Sequence, residues 1–161
     1  MFREMRRNKQ QLSRAECEEI LRRAASGVLA VSGDGGYPYA VPLSYVYEDG
    51  KLWFHCALSG HKLDAIRRDS RVSFCVVDQD EVVPAAYTTY FRSVILFGRA
   101  RILEDHEEKL AALEKLAERY APGDLEGRMI EIEKSFSRTC MVEITGEHMS
   151  GKAAIELVQA K

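Results

Sequence analysis

The chain has 161 residues, of which 46% are hydrophobic and 30% are charged, and its formal net charge is −2. This composition predicts one folded domain with an apolar core rather than a disordered chain, and it gives no electrostatic reason to expect binding to nucleic acid or anionic membranes. No segment approaches the ~20 apolar residues of a membrane span, and the charged start MFREMRRNKQQL lacks the core of a signal peptide, so we expect a cytoplasmic protein.

The first predicted elements are a helical lead-in over residues 13–26 and a short strand. Ser13-Arg14-Ala15-Glu16 has the capping-box pattern that opens a helix, and Gly27 fits the C-terminal stop. The apolar run Val28–Ser32 follows as the first strand. Glycine-containing turns then separate two further predicted strands, Tyr39–Tyr47 and Leu52–Ala57.

Two prolines mark the second of these strands. Pro38 and Pro42 have no backbone N–H to donate to a β-ladder, so we expect the strand to be interrupted there. An interruption leaves backbone groups free, and a ligand could bond to them. Ser44 lies in this stretch, two residues beyond Pro42.

A short helix from about Lys62 to Arg68 begins with the residues Ser59-Gly60-His61-Lys62. Free backbone N–H groups, the positive end of the helix dipole and an ammonium group meet at such a helix start. This combination predicts an anion site of phosphate size, with Lys62 as its point charge. The alternative is a solvated surface lysine, because the sequence matches no established phosphate-loop motif.

The second half of the chain contains further strands and helices. Thr88–Leu103 is too long for an ordinary strand, and Gly98 is expected to form a bulge or bend within it. The other expected elements are a strand Val72–Val77, a loop Gln79–Tyr87, helices over residues 105–134 and a final strand Thr139–Thr145.

The strand pattern predicts the fold class. Six strands joined by tight turns favour an antiparallel meander that closes into a small barrel, because closure removes the exposed strand edges. We expect a single domain over residues 1–161, with the barrel formed by residues 27–103 and 138–146 and with the helices packed outside.

Several side chains near the predicted helix start could carry chemistry. A metal site formed by His55, Cys56 and His61 would lack a fourth ligand at a recognisable spacing, so we predict no metal. The four cysteines form no CxxC pair and are expected to be free, mostly buried thiols. His61 is a candidate acid–base group at the mouth of the anion site, although a helix-start histidine can equally be simply exposed.

The segments YPYAVPLSYVYEDGKLWFHCALSGHKLDAIRRDSRVSFCVV and TTYFRSVILFGRARILED, with the tail MSGKA, resemble the pyridoxamine 5′-phosphate oxidase-like flavin-binding split barrels. The branch that they resemble includes the nitroimidazole-resistance (Nim-type) proteins, and the likeness runs from about Gly27 to Lys152. It implies a mainly β (α+β) fold, a six-stranded antiparallel split β-barrel that is Greek-key-like and has flanking helices. It also implies a homodimer with one FMN in each of two clefts at the subunit interface.

The resemblance also implies a set of site residues. Lys62 would bind the FMN phosphate, and His61 would lie close to the flavin and the substrate as the candidate catalytic residue. Ser93 and, from the partner subunit, the tail from Met149 to Lys152 are weaker assignments. The ribityl and ring sites would be lined by Pro42, Leu43, Ser44, His55, Cys56 and Ala57.

The function implied by the resemblance is an FMN-dependent oxidoreductase that reduces small organic molecules, such as nitroaromatic or nitroimidazole compounds, with NAD(P)H as donor. True pyridoxamine phosphate oxidases end in an Arg-Leu-x-Pro type segment, whereas this sequence ends SGKAAIELVQAK, so we do not expect that activity. The first alternative is a non-catalytic module that holds flavin or haem for storage, sensing or delivery. The second is a related barrel that uses a deazaflavin.

Overall fold

A computed structural model describes residues 1–159 of the chain. These residues form five α-helices and seven β-strands. In chain order the elements are α1 Arg14–Arg23, β1 Ser26–Ser32, β2 Pro38–Ser44, β3 Val46–Glu48, β4 Lys51–Ala57, α2 His61–Arg68, β5 Arg71–Val83, β6 Thr88–Ile102, α3 His106–Tyr120, α4 Leu125–Ser135, β7 Thr139–Ala153 and α5 Ile155–Gln159. No helix in this part of the chain is long and apolar enough to cross a membrane.

All seven strands belong to one antiparallel sheet with the order β2-β1-β5-β6-β7-β4-β3. The predicted antiparallel α+β fold with flanking helices is confirmed, with seven strands rather than six. Within residues 1–159 no ladder joins β2 to β3, so the sheet keeps two edges and is not a closed barrel.

The additional strand arises because the second predicted strand divides at Tyr45. β2 lies on one edge of the sheet and β3 lies on the opposite edge. The interruption predicted at Pro38 and Pro42 is wrong, because the ladder between β1 and β2 includes the pairs Ser32↔Pro38 and Val28↔Pro42. An edge strand tolerates proline, since a position without an N–H can face the unpaired side.

The chain itself satisfies the backbone groups at this division. The Tyr120 hydroxyl accepts a hydrogen bond from Tyr45 N at 3.1 Å and donates to Ala25 O at 2.5 Å. The Tyr45 ring is fully buried, and its hydroxyl donates to Leu21 O at 2.7 Å. The interruption therefore does not leave the backbone of Tyr45 free for a ligand, in contrast to the expectation for a broken strand.

Two strands extend beyond their predicted ends because they pair with β6. β5 continues to Val83, which pairs with Thr88, so the predicted loop Gln79–Tyr87 is wrong over most of its length. β7 continues from Thr145 to Ala153 alongside β6. Neither extension has a strong apolar alternation, and the cross-strand hydrogen bonds stabilise both of them instead.

The bend predicted at Gly98 is confirmed, because the register between β6 and β7 shifts between Phe97 and Gly98. A Cβ atom at Gly98 would lie 2.3 Å from Thr145 O, so only glycine allows β7 to approach this closely.

The curved sheet separates two apolar clusters. The larger one fills the inside of the sheet around the fully buried rings of Phe54 and Phe74, and α1 covers part of it with Ile20 and Leu21. The smaller one lies on the outer face of β4 and β7 and includes Trp53, Met141, Leu113 and Leu116. Successive residues of β4 therefore alternate between the inner cluster and the outer face, where α3 packs.

Candidate functional site

A cavity of about 670 Å³ lies between the end of the sheet and the helices α3 and α4. Its volume is within the usual range for small-molecule sites. The sheet side is formed by Ser44, His55 and Thr139. The helix side is mainly apolar, with Leu113, Leu116, Ala117, Ala121 and Ile132, and its polar residues are Tyr120, Asp124, Arg128, Glu131 and Ser135.

The ends of two strands place Ser44 and His55 at this cavity. Ser44 is the last residue of β2, and His55 lies on the outer face near the end of β4. Both side chains are exposed, and neither makes a hydrogen bond within residues 1–159. Ala57, two residues after His55, shares its face and pairs with Thr139. These polar groups are thus free to contact a ligand in the cavity.

The start of α2 provides a separate group of unpaired donors. Gly60 precedes the helix with φ of 148° and offers no side-chain cap, whereas Ser13, Asp105 and Asp124 cap α1, α3 and α4. Lys62 is half-buried and has no ion pair or hydrogen bond in the described part of the chain. A helix start of this kind attracts anions, because its free N–H groups and the helix dipole both favour negative charge.

Lys62 lies close enough to Cys56, the neighbour of His55 in β4, for its charge to act on the thiol. Burial raises the pKa of the Cys56 thiol to about 12, even though the positive charge of Lys62 lowers it in part. Cys56 faces the inner cluster and pairs across the strands with Cys140, and all four cysteines are free. The Cys56 thiol is therefore a protonated packing group rather than a nucleophile at neutral pH.

His61 does not line the cavity and instead contacts Asp34 and Tyr39. Its Nε2 accepts a hydrogen bond from Asp34 N at 3.3 Å and lies 3.7 Å from Asp34 Oδ2. Its ring centroid is 4.1 Å from that of Tyr39. Arg68, at the other end of α2, binds Asp34 Oδ1 at 2.7 Å. These contacts fasten α2 to the turn between β1 and β2, and they occupy one nitrogen of the candidate catalytic histidine.

The outer face of β1, β2, β5 and β6 carries an exposed apolar row, defined here as Pro42, Val28, Cys75 and Ile95. These residues are directly opposed pairs in neighbouring strands, so their side chains lie on the same face. Val28 and Ile95 are 38% and 37% exposed, which is unusual for large aliphatic side chains in a sheet. A contiguous apolar surface of this kind is typical of a protein–protein contact.

Ser93 and Lys152 lie beside the apolar row, far from His55. They pair directly between β6 and β7, and the Lys152 Nζ lies 5.2 Å from the centroid of the Phe91 ring. The cavity residue Thr139 is at the other end of β7 from Lys152, and neither Ser93 nor Lys152 lines the cavity. One chain therefore does not bring Ser93 and Lys152 to the cavity.

Two of the other predicted residues face the interior. Leu43 and Met149 are both partly buried against the inner cluster. Met149 pairs with Leu96, whose side chain is almost fully buried. Within this chain, these two residues support the walls of the sheet rather than line the cavity.

The helix side of the cavity was missed by sequence reasoning. Tyr120 and Arg128 belong to helices that the sequence predicts, but no motif marks them as site residues. One signal is visible in α4, where apolar residues appear on more than one face although the helix buries no residue.

A family model for pyridoxamine 5′-phosphate oxidase matches residues 13–153. No curated protein sequence matches the chain. Among solved structures, a FAD-binding protein from Mesorhizobium loti is 28% identical, with coverage of 90% of this chain and 97% of that chain and a TM-score of 0.64. A conserved hypothetical protein from Mycobacterium tuberculosis is 25% identical, with coverage of 92% and 90% and a TM-score of 0.79.

A candidate 5-nitroimidazole antibiotic resistance protein from Bacteroides thetaiotaomicron is 21% identical, with coverage of 89% of this chain and 86% of that chain and a TM-score of 0.73. At this identity the likeness shows a shared fold. The matched residues 13–153 include every strand of the sheet and the whole of the cavity. The chain therefore belongs to the pyridoxamine 5′-phosphate oxidase family.

Proposed function

We propose that this protein binds FMN and uses it to reduce small organic molecules, nitroaromatic compounds among them, with a reduced nicotinamide as the electron donor. The observation that carries the proposal is the uncapped start of α2 with its unpaired Lys62, which follows closely in the chain on the strand end that places His55 at the cavity. The family membership and the FAD-binding relative support a flavin in general. The proposed anion site consists of one helix start and one lysine, which suits the single phosphate of FMN better than the pyrophosphate of FAD.

The residues fit the two ends of such a cofactor. Lys62 and the N–H groups of the first turn of α2 would hold the phosphate dianion. Pro42, Ser44, His55 and Ala57, which lie on the outer face of β2 and β4, would line the ribityl and ring region. When bound, the flavin supplies the hydride or electron-transfer chemistry, and the protein binds and orients it.

The proposed assembly is a homodimer. The exposed apolar row supplies a surface for a second copy, and Ser93 and Lys152 lie next to it. Since these two residues are far from the cavity of their own chain, we propose that they contribute to the site of the partner subunit. His61 is proposed to act mainly by positioning, because its Nε2 is bonded to the turn at Asp34.

The first test is the absorption spectrum of the purified protein. We expect a yellow protein whose flavin absorption bands disappear when NADH or NADPH is added in the absence of a nitroaromatic acceptor. The cofactor released from the protein should have the mass of FMN. A colourless protein that cannot be reconstituted with FMN would overturn the proposal. A released cofactor with the mass of FAD would overturn the assignment of FMN alone.

Lys62→Ala tests the phosphate site. Loss of a charge-assisted hydrogen bond is expected to weaken FMN binding by about tenfold or more. Riboflavin has no phosphate, so its affinity should hardly change. Arg67→Ala is the matched control, because Arg67 lies on the same helix but pairs with Asp64 at the surface. Equal FMN affinity in Lys62→Ala and the wild type would contradict the assignment.

A second candidate function is a non-catalytic module that holds a cofactor, and one observation favours haem for it. The His55 imidazole has no hydrogen-bond partner within residues 1–159 and faces a cavity with mainly apolar walls, as an axial haem ligand would. Titration with haem should then produce a Soret band that is lost in His55→Ala. Tight flavin binding without reduction of nitro, quinone or imine acceptors would favour a flavin-holding module instead.

A further inference from the structure

Arg128 is a largely buried cation on the wall of the cavity. It extends from α4, lines the cavity together with Ser44 and His55, and its side chain is only 12% exposed. Arg138, which lies just after the end of α4, is by contrast exposed and donates to Lys134 O. Arg128 is thus the one arginine or lysine among the cavity-lining residues of the described chain.

Most of the donors of Arg128 are unused. Its Nη2 donates to the Glu118 carboxylate, and this is the one side-chain hydrogen bond that Arg128 makes within residues 1–159. Its Nε is buried and has no partner in that part of the chain. A guanidinium carries five N–H donors in a planar fork, and a buried donor without an acceptor is destabilising. Nη1 also makes no hydrogen bond within residues 1–159 but is not buried, so it can donate to an oxygen acceptor in the cavity.

The charges around the cavity limit the kind of acceptor. Glu118 already compensates the charge of Arg128. Asp124 and Glu131 add two exposed carboxylates to the cavity lining, and the remaining titratable side chains there are His55 and Tyr120. A carboxylate ligand would therefore meet a net negative surface, whereas an uncharged nitro or carbonyl oxygen would meet free N–H donors without this repulsion.

We infer that Arg128 is a substrate-binding residue that selects uncharged, planar molecules with a nitro or carbonyl oxygen over carboxylates of the same shape. The apolar side chains of Leu113, Leu116 and Ile132 would cover the planar face of such a molecule. This inference rests on the proposed function, because it assigns the sheet side of the cavity, with Ser44 and His55, to the flavin ring and the helix side, with Arg128, to the substrate.

The test compares para-nitrobenzamide with para-nitrobenzoate, which have the same shape but differ in charge. Their affinities are measured by calorimetry on FMN-saturated and on flavin-free protein, and kcat/KM is measured on the loaded protein. We expect the amide to bind at least tenfold more tightly than the benzoate. Arg128→Gln should weaken amide binding by about tenfold and leave the flavin spectrum unchanged. Arg138→Gln, the matched control, should bind both compounds like the wild type.

Glu118→Gln is expected to increase the affinity for one ligand, and a protein that has lost its fold would not show such an increase. It leaves the guanidinium without its compensating carboxylate, so the affinity for para-nitrobenzoate should rise by about tenfold and the preference for the amide should shrink. Unchanged amide affinity in a folded Arg128→Gln protein, or benzoate binding as tight as amide binding in the wild type, would overturn the inference. Failure of the proposed function would be recognised by a different observation, namely that the protein takes up no flavin.

Discussion

Glu143, on the outer face of the sheet, is a charged residue that three neighbouring donors stabilise beneath α3. The Glu143 carboxylate is almost fully buried beneath α3, where it accepts from Trp53 Nε1 at 3.1 Å, Arg101 Nη2 at 3.0 Å and Lys51 Nζ at 3.5 Å. Burial raises the pKa of Glu143, but the Arg101 hydrogen bond and the charges of Lys51 and Arg101 outweigh it and hold the pKa below its usual value. The ionised form therefore stabilises the fold.

Glu143→Gln is expected to lower the free energy of unfolding by about 1–3 kcal/mol at neutral pH, since charge-assisted hydrogen bonds to three donors are weakened. The measurement is denaturant unfolding followed by fluorescence. Glu133→Gln, which changes an exposed glutamate of α4, is the control and should be neutral. An equally stable Glu143→Gln protein would show that the ion cluster contributes nothing.

The same carboxylate predicts a dependence on pH. Because the pKa of Glu143 is lower in the folded than in the unfolded protein, its contribution is complete above the unfolded value and is lost as the pH falls through the folded one. The stability difference between the wild type and Glu143→Gln should therefore shrink below about pH 4. A difference that is constant between neutral pH and pH 3 would contradict this assignment.

At the scale of elements, the division between β2 and β3 depends on the last residue of α3. The Tyr120 hydroxyl bonds to backbone groups of Tyr45 and Ala25, and the same side chain lines the cavity next to Ser44. A helix end thus fixes the point at which the chain crosses from one edge of the sheet to the other. The position of Ser44 in the candidate site depends on this contact.

Tyr120→Phe should destabilise the protein by about 1 kcal/mol, because it leaves the part-buried backbone N–H of Tyr45 without its partner. Ligand affinity at the cavity should also fall, since the end of β2 is no longer held. Tyr37→Phe removes a hydroxyl from a ring that is 78% exposed and serves as the control for both measurements. Equal unfolding curves for the two variants would rule out a role for Tyr120 in holding the crossing.

At the scale of the whole molecule, one chain carries two incomplete sets of predicted cofactor residues. Ser44 and His55 line the cavity and Lys62 lies at the start of α2, whereas Ser93 and Lys152 form a pair between β6 and β7 outside the cavity. The exposed apolar row lies beside the second set. A second copy of the chain, placed on this row, is the simplest assembly in which both sets can serve one site.

Ile95→Lys tests this assembly, since a charge in the apolar row should prevent association and release the flavin. We expect a monomer by light scattering, with FMN affinity reduced by at least tenfold in the same sample. Val82→Lys, at an exposed position of β5 outside the row, should remain dimeric and yellow. A monomeric Ile95→Lys protein that retains FMN would show that one chain completes the site.

The sequence alone determined the features that depend on neighbouring residues. The capping box of α1, the start of α2 at Gly60 and His61, and the bulge at Gly98 follow from local backbone preferences, and the structure contains all three. The antiparallel fold class followed in the same way from tight turns between short apolar strands. The family resemblance rested on the order and spacing of these same segments.

Only the tertiary structure decided which side chains meet. The crossing at Tyr45 depends on Tyr120, which is 75 residues away in sequence, and no local pattern encodes that hydrogen bond. The direction of His61 depends on Asp34, and the exposure of Arg128 to the cavity depends on the packing of α4 beside the sheet. Contacts between distant segments are set by the whole core, so they become visible only when the chain is folded.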